Sequence, residues 1–225
     1  TQQITVEAQG ELEELKNNLN QMIGNLRVTT EKNTEQDWLK TNLAKFSRMM
    51  QGQKDLDSVA RLIMSELTPL VSAHHGAFYM MDHDERNPTL RLIASYAYKE
   101  RKHVGNRFGL GEGLVGQAAL EGKSILITDA PPDYVKVTSG LGEALPVNII
   151  VMPILFEEQV MAVIDLASLR PFSEVNQTFL EQLAETLGVV LNAIIANRRT
   201  EELLEQSQSL AEELQSQSEG LQAQS

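Results

Sequence analysis

Along the first helix-like stretch the apolar positions are Leu12, Leu15, Leu19, Met22 and Leu26, spaced three, four, three and four. That is a coiled-coil seam, an apolar stripe that a helix buries only by pairing with another. Carried forward in register, the seam meets Thr29, Asn33 and Gln36, polar residues that loosen such pairing. The next apolar set, Leu39, Leu43, Phe46 and Met50 with Trp38 beside it, repeats the spacing with its phase moved by about one residue. Residues 28–37 therefore read as a weak joint, and a second helix is predicted near residues 36–51. After Gly52, the positions Leu56, Val59, Ala60, Ile63, Leu67 and Leu70 follow the pattern of a packed amphipathic helix, which Pro69 disturbs or ends in its last turn.

From Gly76 the rhythm becomes that of strands. GAFYMMD and LRLIASYAY flank the polar turn HDERNP and are long enough to pair antiparallel; SILITD, NIIVMPILF and QVMAVIDLA follow, the last two joined by a tight Glu157-Glu158 turn. Ahead of SILITD, the glycines Gly109, Gly111, Gly113 and Gly116 crowd a turn leading into a helix of barely two turns. Glycines at this density let a short helix lie tightly across a sheet face, as a lid over a pocket. The loop APPDYVKVTSGLGEALP is too rich in proline and glycine for a long regular helix. Ser173 caps a last helix, with Glu174 in its first turn. Its face of Phe179, Leu180, Leu183, Leu187, Val190, Leu191, Ile194 and Ile195 is broad enough to touch both the sheet and a second subunit. Beyond Arg198-Arg199 the helix runs on through Leu203, Leu210, Leu214 and Leu221, and its heptad phase breaks near residues 197–202.

The elements predict an α+β fold: an antiparallel sheet of five or six strands, a helical layer on one face, a lid and pocket on the other, and coiled-coil helices at both ends. The segments are 1–37, 38–197 and 198–225. The pocket is placed between sheet and lid, with Phe108, Leu114 and Val115 from the lid, Ile127 and Asp129 from the strand after it, Tyr134 from the loop, and Tyr79, Met152 and Asp165 from the sheet. Asp165 is the most informative of these, because a carboxylate within MAVIDLA must be hydrated, paired or used; hydration at the strand end is the expected account. The dimer seam is expected along Leu12, Leu15, Leu19, Met22, Leu26, Leu39, Leu43 and Phe46 in front and Leu183, Leu187, Val190 and Ile194 behind.

Composition narrows the chemistry. A formal net charge of −12 argues against a nucleic-acid partner, since phosphate contacts need clustered Lys and Arg. One basic cluster, Lys99, Arg101, Lys102, His103 and Arg107, precedes the glycines; a solvated loop is the expected explanation, and drawing an anionic ligand to the lid is the alternative. No cysteine occurs, which removes disulfides, thiolate metal sites and cysteine nucleophiles. Gly111, Gly113 and Gly116 spell G-x-G-x-x-G, but the apolar strand before it, the full crossover helix after it and the acid about 20 residues on that a dinucleotide site requires are missing. A haem reading through His83 or His103 fails on their polar turn surroundings. No metal or cofactor is required by the sequence. No apolar run approaches the roughly 18 residues of a membrane span, and no signal peptide is visible. The chain reads as cytoplasmic, with no membrane contact of its own. A first residue other than Met and a glutamine-rich last helix read as the ends of a segment of a longer protein.

The order of elements, with FGLGEGLVGQA, SILITDA, IVMPIL, MAVIDLAS and RPFS at 170–173, resembles a GAF domain over roughly residues 40–197. ITVEAQGELEELKNNLNQMIGNLR resembles the second helix of a HAMP domain, although any short coiled coil has the same seam. Together with the exit coil, this resemblance implies the input region of a bacterial sensor histidine kinase, often a hybrid one. It implies a parallel homodimer, kinase domains further along the same chain, a small-molecule ligand as a partner and a parent anchored in the inner membrane. The effector domain of a transcriptional or nucleotide-cyclase regulator is the alternative. Phe172 is followed by Asn176-Gln177 where cyclic-nucleotide GAF domains carry Asp-Glu, and the missing cysteines exclude bilin attachment and methionine sulfoxide reduction. His74-His75 is followed by Gly, without the acid and Arg of a phosphoacceptor box, so the pair reads as structural.

Overall fold

The polar joint at residues 28–37 does not interrupt the first helix. In the computed structural model, which describes residues 3–5, 9–82, 87–97, 106–128, 137–139 and 142–222, α1 runs unbroken from Glu11 to Met50. The reason is that Thr29, Asn33 and Gln36 weaken pairing between helices while remaining compatible with a helix itself, and no Gly or Pro falls in the stretch. Local bonds support it: Arg27 pairs with Glu31 at 2.9 Å, and Thr30 and Thr34 return their hydroxyls to the carbonyls of Leu26 and Thr30. The predicted second helix is thus part of α1. Ahead of it, Ile4 exchanges two hydrogen bonds with the Asn20 side chain.

The chain divides into two units, Thr1–Arg48 and Met49–Ser225. In the first, Leu12, Leu15, Met22 and Leu26 are all more than half exposed, and Leu19 is 38% exposed, so the seam lies open. In the second, α2 (Leu56–Leu70) starts at Asp55, whose carboxylate accepts from the Ser58 backbone N–H and hydroxyl. Pro69 is accommodated in the last turn, and the helix closes with the Val71 N–H on the Leu67 carbonyl.

The strands are β1 (His75–Asp82), β2 (Thr89–Tyr96), β3 (Arg107–Gly109), β4 (Ile125–Ile127), β5 (Val137–Ser139), β6 (Gly142–Ala144), β7 (Asn148–Phe156) and β8 (Gln159–Ser168). Six form one antiparallel sheet in the order β3-β2-β1-β8-β7-β4, and β5 with β6 makes a separate two-stranded ribbon. The β7–β8 turn is made by Glu157 and Glu158, both at positive φ, as a two-residue hairpin requires. The two remaining helices are α3 (Gly113–Glu121) and α4 (Glu174–Gln222).

Helices α2 and α4 cover one sheet face. Gly188 lets α4 press onto β7, since a Cβ there would stand 1.9 Å from the Leu155 carbonyl oxygen. Phe179, Leu180, Leu183, Leu187 and Leu191 are buried. This corrects the expected dimer seam: Leu183, Leu187 and Ile194 are covered within a single chain, as is Phe46, while Leu39, Leu43 and Val190 are half-buried. A side chain already out of water has no area left to give a partner. An 18-residue window of α4 reaches a mean hydropathy of 1.4, apolar enough by composition for a membrane span, although 44% of it is buried inside the protein.

Candidate functional site

The opposite sheet face lies under α3. The turn before that helix is bonded to itself: the Glu112 carboxylate accepts from the Gly109 N–H at 2.8 Å, and the Gly111 N–H donates to the Gly116 carbonyl at 2.8 Å. Gly116 is the position where no side chain fits, because a Cβ would lie 2.1 Å from the Gly109 carbonyl oxygen. The helix is thereby held flat against the strands. Its Val115, Ala118 and Ala119 pack with Ala77, Tyr79, Met81, Leu90, Ile149, Val151, Val163 and Ala167 in one buried cluster. Phe108, Leu114 and Ile127 sit partly buried around it, and the Phe108 ring meets the Tyr79 ring edge to face at 5.4 Å.

Tyr79, Phe108, Leu114, Val115 and Ile127 are thus brought together as the sequence suggested. Met152 is not. It stands directly opposite Ile164, whereas its neighbour Val151 belongs to the lid-side cluster, so alternation turns Met152 to the helical face. Asp129 and Tyr134 fall outside the described residues, as do His83 and His103 and the basic cluster apart from Arg107.

Asp165 lies in the middle of β8, correcting the strand-end account. It is directly opposite Ala77 on one side and Val151 on the other, both members of the lid-side cluster. The carboxyl therefore emerges on the lid face, half-buried among small apolar side chains, and burial pushes its pKa up to about 7. Among the described residues it has neither a hydrogen-bond nor an ion-pair partner. The carboxylates at the two ends of the lid helix are engaged locally: Glu121 accepts from Gln117, and Glu112, just before the helix, accepts from the Gly109 N–H.

One polar residue of this face, His75, belongs to a pair that the sequence reads as structural. His75 opens β1 opposite Ala167, which puts its ring on the same side as Asp165. It is 8% exposed, and neither ring nitrogen has a partner. Burial first, and the neighbouring His74 second, lower its pKa, so it is held neutral. His74, in contrast, accepts from the Leu169 N–H at 3.3 Å and is structural. The signal that finds His75 is its even spacing from Ala77 and Tyr79.

A concavity of about 720 Å³ lies elsewhere, where Gln53, Lys54, Asp55 and Leu56 face Ile194, Asn197, Arg198, Thr200 and Glu201. Its charges are mixed, and Arg198 is engaged with Glu202 at 2.9 Å. Among the described residues no group of three or more acidic or imidazole side chains is arranged for a metal.

Comparison with known proteins follows this geometry. The family profile described as GAF domain matches residues 53–192. No curated protein matches the chain by sequence. Among solved structures, the chain is similar to the GAF domain from an Acinetobacter phosphoenolpyruvate-protein phosphotransferase, at 20% identity and a TM-score of 0.56 over 73% of this chain and 96% of that one. The corresponding Coxiella burnetii domain gives 20% identity and a TM-score of 0.57, again over 73% and 96%. The free methionine-R-sulfoxide reductase from Neisseria meningitidis, solved with its substrate, gives 22% and 0.55 over 69% and 89%. At these identities the likeness concerns the fold.

Proposed function

The chain belongs to the GAF domain family, and from that membership we propose that it is the dimeric input and relay module of a two-component sensor histidine kinase. A GAF domain is a sensory or regulatory domain, and the lid-covered face with Asp165 and His75 on it supports the reading of a small ligand there. The observation that carries the relay reading is the pair of long helices with uncovered heptad positions. Leu12, Leu15, Met22 and Leu26 in α1, and Leu203, Leu210 and Leu214 in α4, are each more than half exposed in the single chain. A stripe of leucines at heptad spacing gains stability by pairing with its own copy in parallel, and two such stripes, one before and one after the sheet domain in sequence, would link helix pairing to both ends of the chain. The HAMP-like seam in front supports a signal arriving through helix pairing, and the exit coil supports its delivery to kinase domains.

The reading is tested by register. In a chimera that places residues 1–225 ahead of a histidine kinase core, seven residues inserted after Glu202 keep the heptad phase, whereas four rotate the exit seam. Autophosphorylation is expected to survive the first insertion and change at least several-fold with the second. Equal activity in both would show that α4 transmits no packing change.

A further inference from the structure

The lid face holds a buried imidazole and a half-buried carboxyl that no described residue engages. In the antiparallel ladder His75 stands opposite Ala167 and Ala77 opposite Asp165, so the imidazole and the carboxyl are diagonal neighbours on one face. Such diagonal positions sit about 7 Å apart at Cβ, close enough for one small molecule to touch both. The positions between and beside them are Ala77, Ala167, Val151 and Val163, short apolar side chains that offer the carboxyl no hydrogen bond. No described side chain donates to those oxygens, and no described cation stands on that face. Tyr79 lies two positions along β1 from Ala77, with its ring set against Phe108, and aromatic rings on one flank favour a positive group beside the carboxylate.

The geometry points to a small organic ligand carrying a protonated amine, its ammonium on the Asp165 carboxylate and a neighbouring polar group on His75. The inference rests on the reading of the lid face as the sensory site, and names the chemistry it reads. An ammonium supplies what the carboxyl lacks, both the donors and the opposite charge, in a setting where water has been largely displaced. The neutral imidazole offers one donor and one acceptor, which suits a hydroxyl, carbonyl or carboxylate next to the amine. An anionic ligand without an amine would be repelled by the ionised carboxyl. A purely apolar one would leave both groups unpaired. Binding to the neutral carboxyl releases its proton to solvent, while the ammonium keeps its own.

The experiment uses small primary amines and α-amino acids, matched with alcohols and carboxylic acids of the same carbon skeleton, each titrated by calorimetry at pH 6 and pH 8. Amines are expected to bind, with proton release at pH 6, and Asp165→Asn is expected to weaken them roughly 10- to 100-fold. Asp165→Asn is isosteric, and a carboxyl-carbon NMR titration of the unsubstituted protein gives the same answer without it. There the Asp165 pKa, about 7 without ligand, is expected to fall on saturation with amine. Alcohols or acids binding as well as the amines, or amines binding Asp165→Asn undiminished, would overturn the amine assignment and leave the face a sensory site. No binding by any of the four classes, with a carboxyl that titrates near 7 throughout, would overturn the sensory reading with it, since the groups would then be a static part of the core.

Discussion

The Asp165 carboxyl ties a single residue to the stability of the fold. Its pKa in the folded protein is about 7, against 3.8 for the free side chain. Between those values the folded state holds a proton that the unfolded state has released, so stability is full below about pH 4 and is lost as pH rises through about 7. His75 has the opposite sign: its lowered pKa contributes stability that is present above about 6.5 and is lost as pH falls through the folded value. Asp165→Asn separates the two. Urea denaturation is expected to find the variant more stable than the unsubstituted protein by ~1–4 kcal/mol at pH 8, with the difference shrinking as pH falls and nearly gone below about pH 4. A difference that does not change with pH would mean that the carboxyl is ionised, and solvated, throughout.

At the scale of elements, the fold depends on two helices set unusually close to strands or turns. Gly188 and Gly116 are the points of approach, with backbone oxygens 1.9 Å and 2.1 Å from where a Cβ would be. Backbone of β7 cannot retreat as the end of a flexible side chain can, because Leu155 lies in its pairing with β8. Gly188→Ala is therefore expected to cost about 2–4 kcal/mol in chemical denaturation despite the better helix propensity of alanine. A cost near zero would show that α4 is free to lift from the sheet. The long helices themselves were partly legible. Their heptad spacing announces them, but the polar seam positions Thr29, Asn33 and Gln36 suggest a weak joint and a second helix near residues 36–51, whereas α1 is continuous. Three-residue strands such as β3, β5 and β6 left no readable mark, because alternation needs more positions than they have.

For the whole molecule the deciding question is what covers the exposed leucines. A parallel pair of chains sets Leu210 against Leu210 of the partner, and the absence of native cysteine makes one introduced thiol an unambiguous reporter. Leu210→Cys is expected to form a disulfide-linked dimer under mild oxidation. Gln208→Cys, two positions earlier and so roughly 200° round the helix from the seam, is expected to link far less. Equal cross-linking at both positions, or a monomeric mass in solution, would count against the coiled coil. Leu183 and Leu187 carry the opposite lesson: their spacing suits a seam equally well, yet the sheet of the same chain already covers them. Periodicity shows that a stripe must be buried, and says nothing of which surface buries it.

The sequence by itself determined the order of the longer helices and strands, the acidic, cysteine-free chemistry, the lid and the isolation of Asp165 within an apolar run, because each is written in neighbouring residues. Tertiary structure alone decided which face each strand residue occupies. NIIVMPILF is apolar on both faces, so only pairing with β8 turns Val151 to the lid and Met152 to the helices. The pairing of β1 with β8 brings His75 beside Asp165 across 90 residues of chain, a proximity set by backbone register between distant strands and carried by no local pattern.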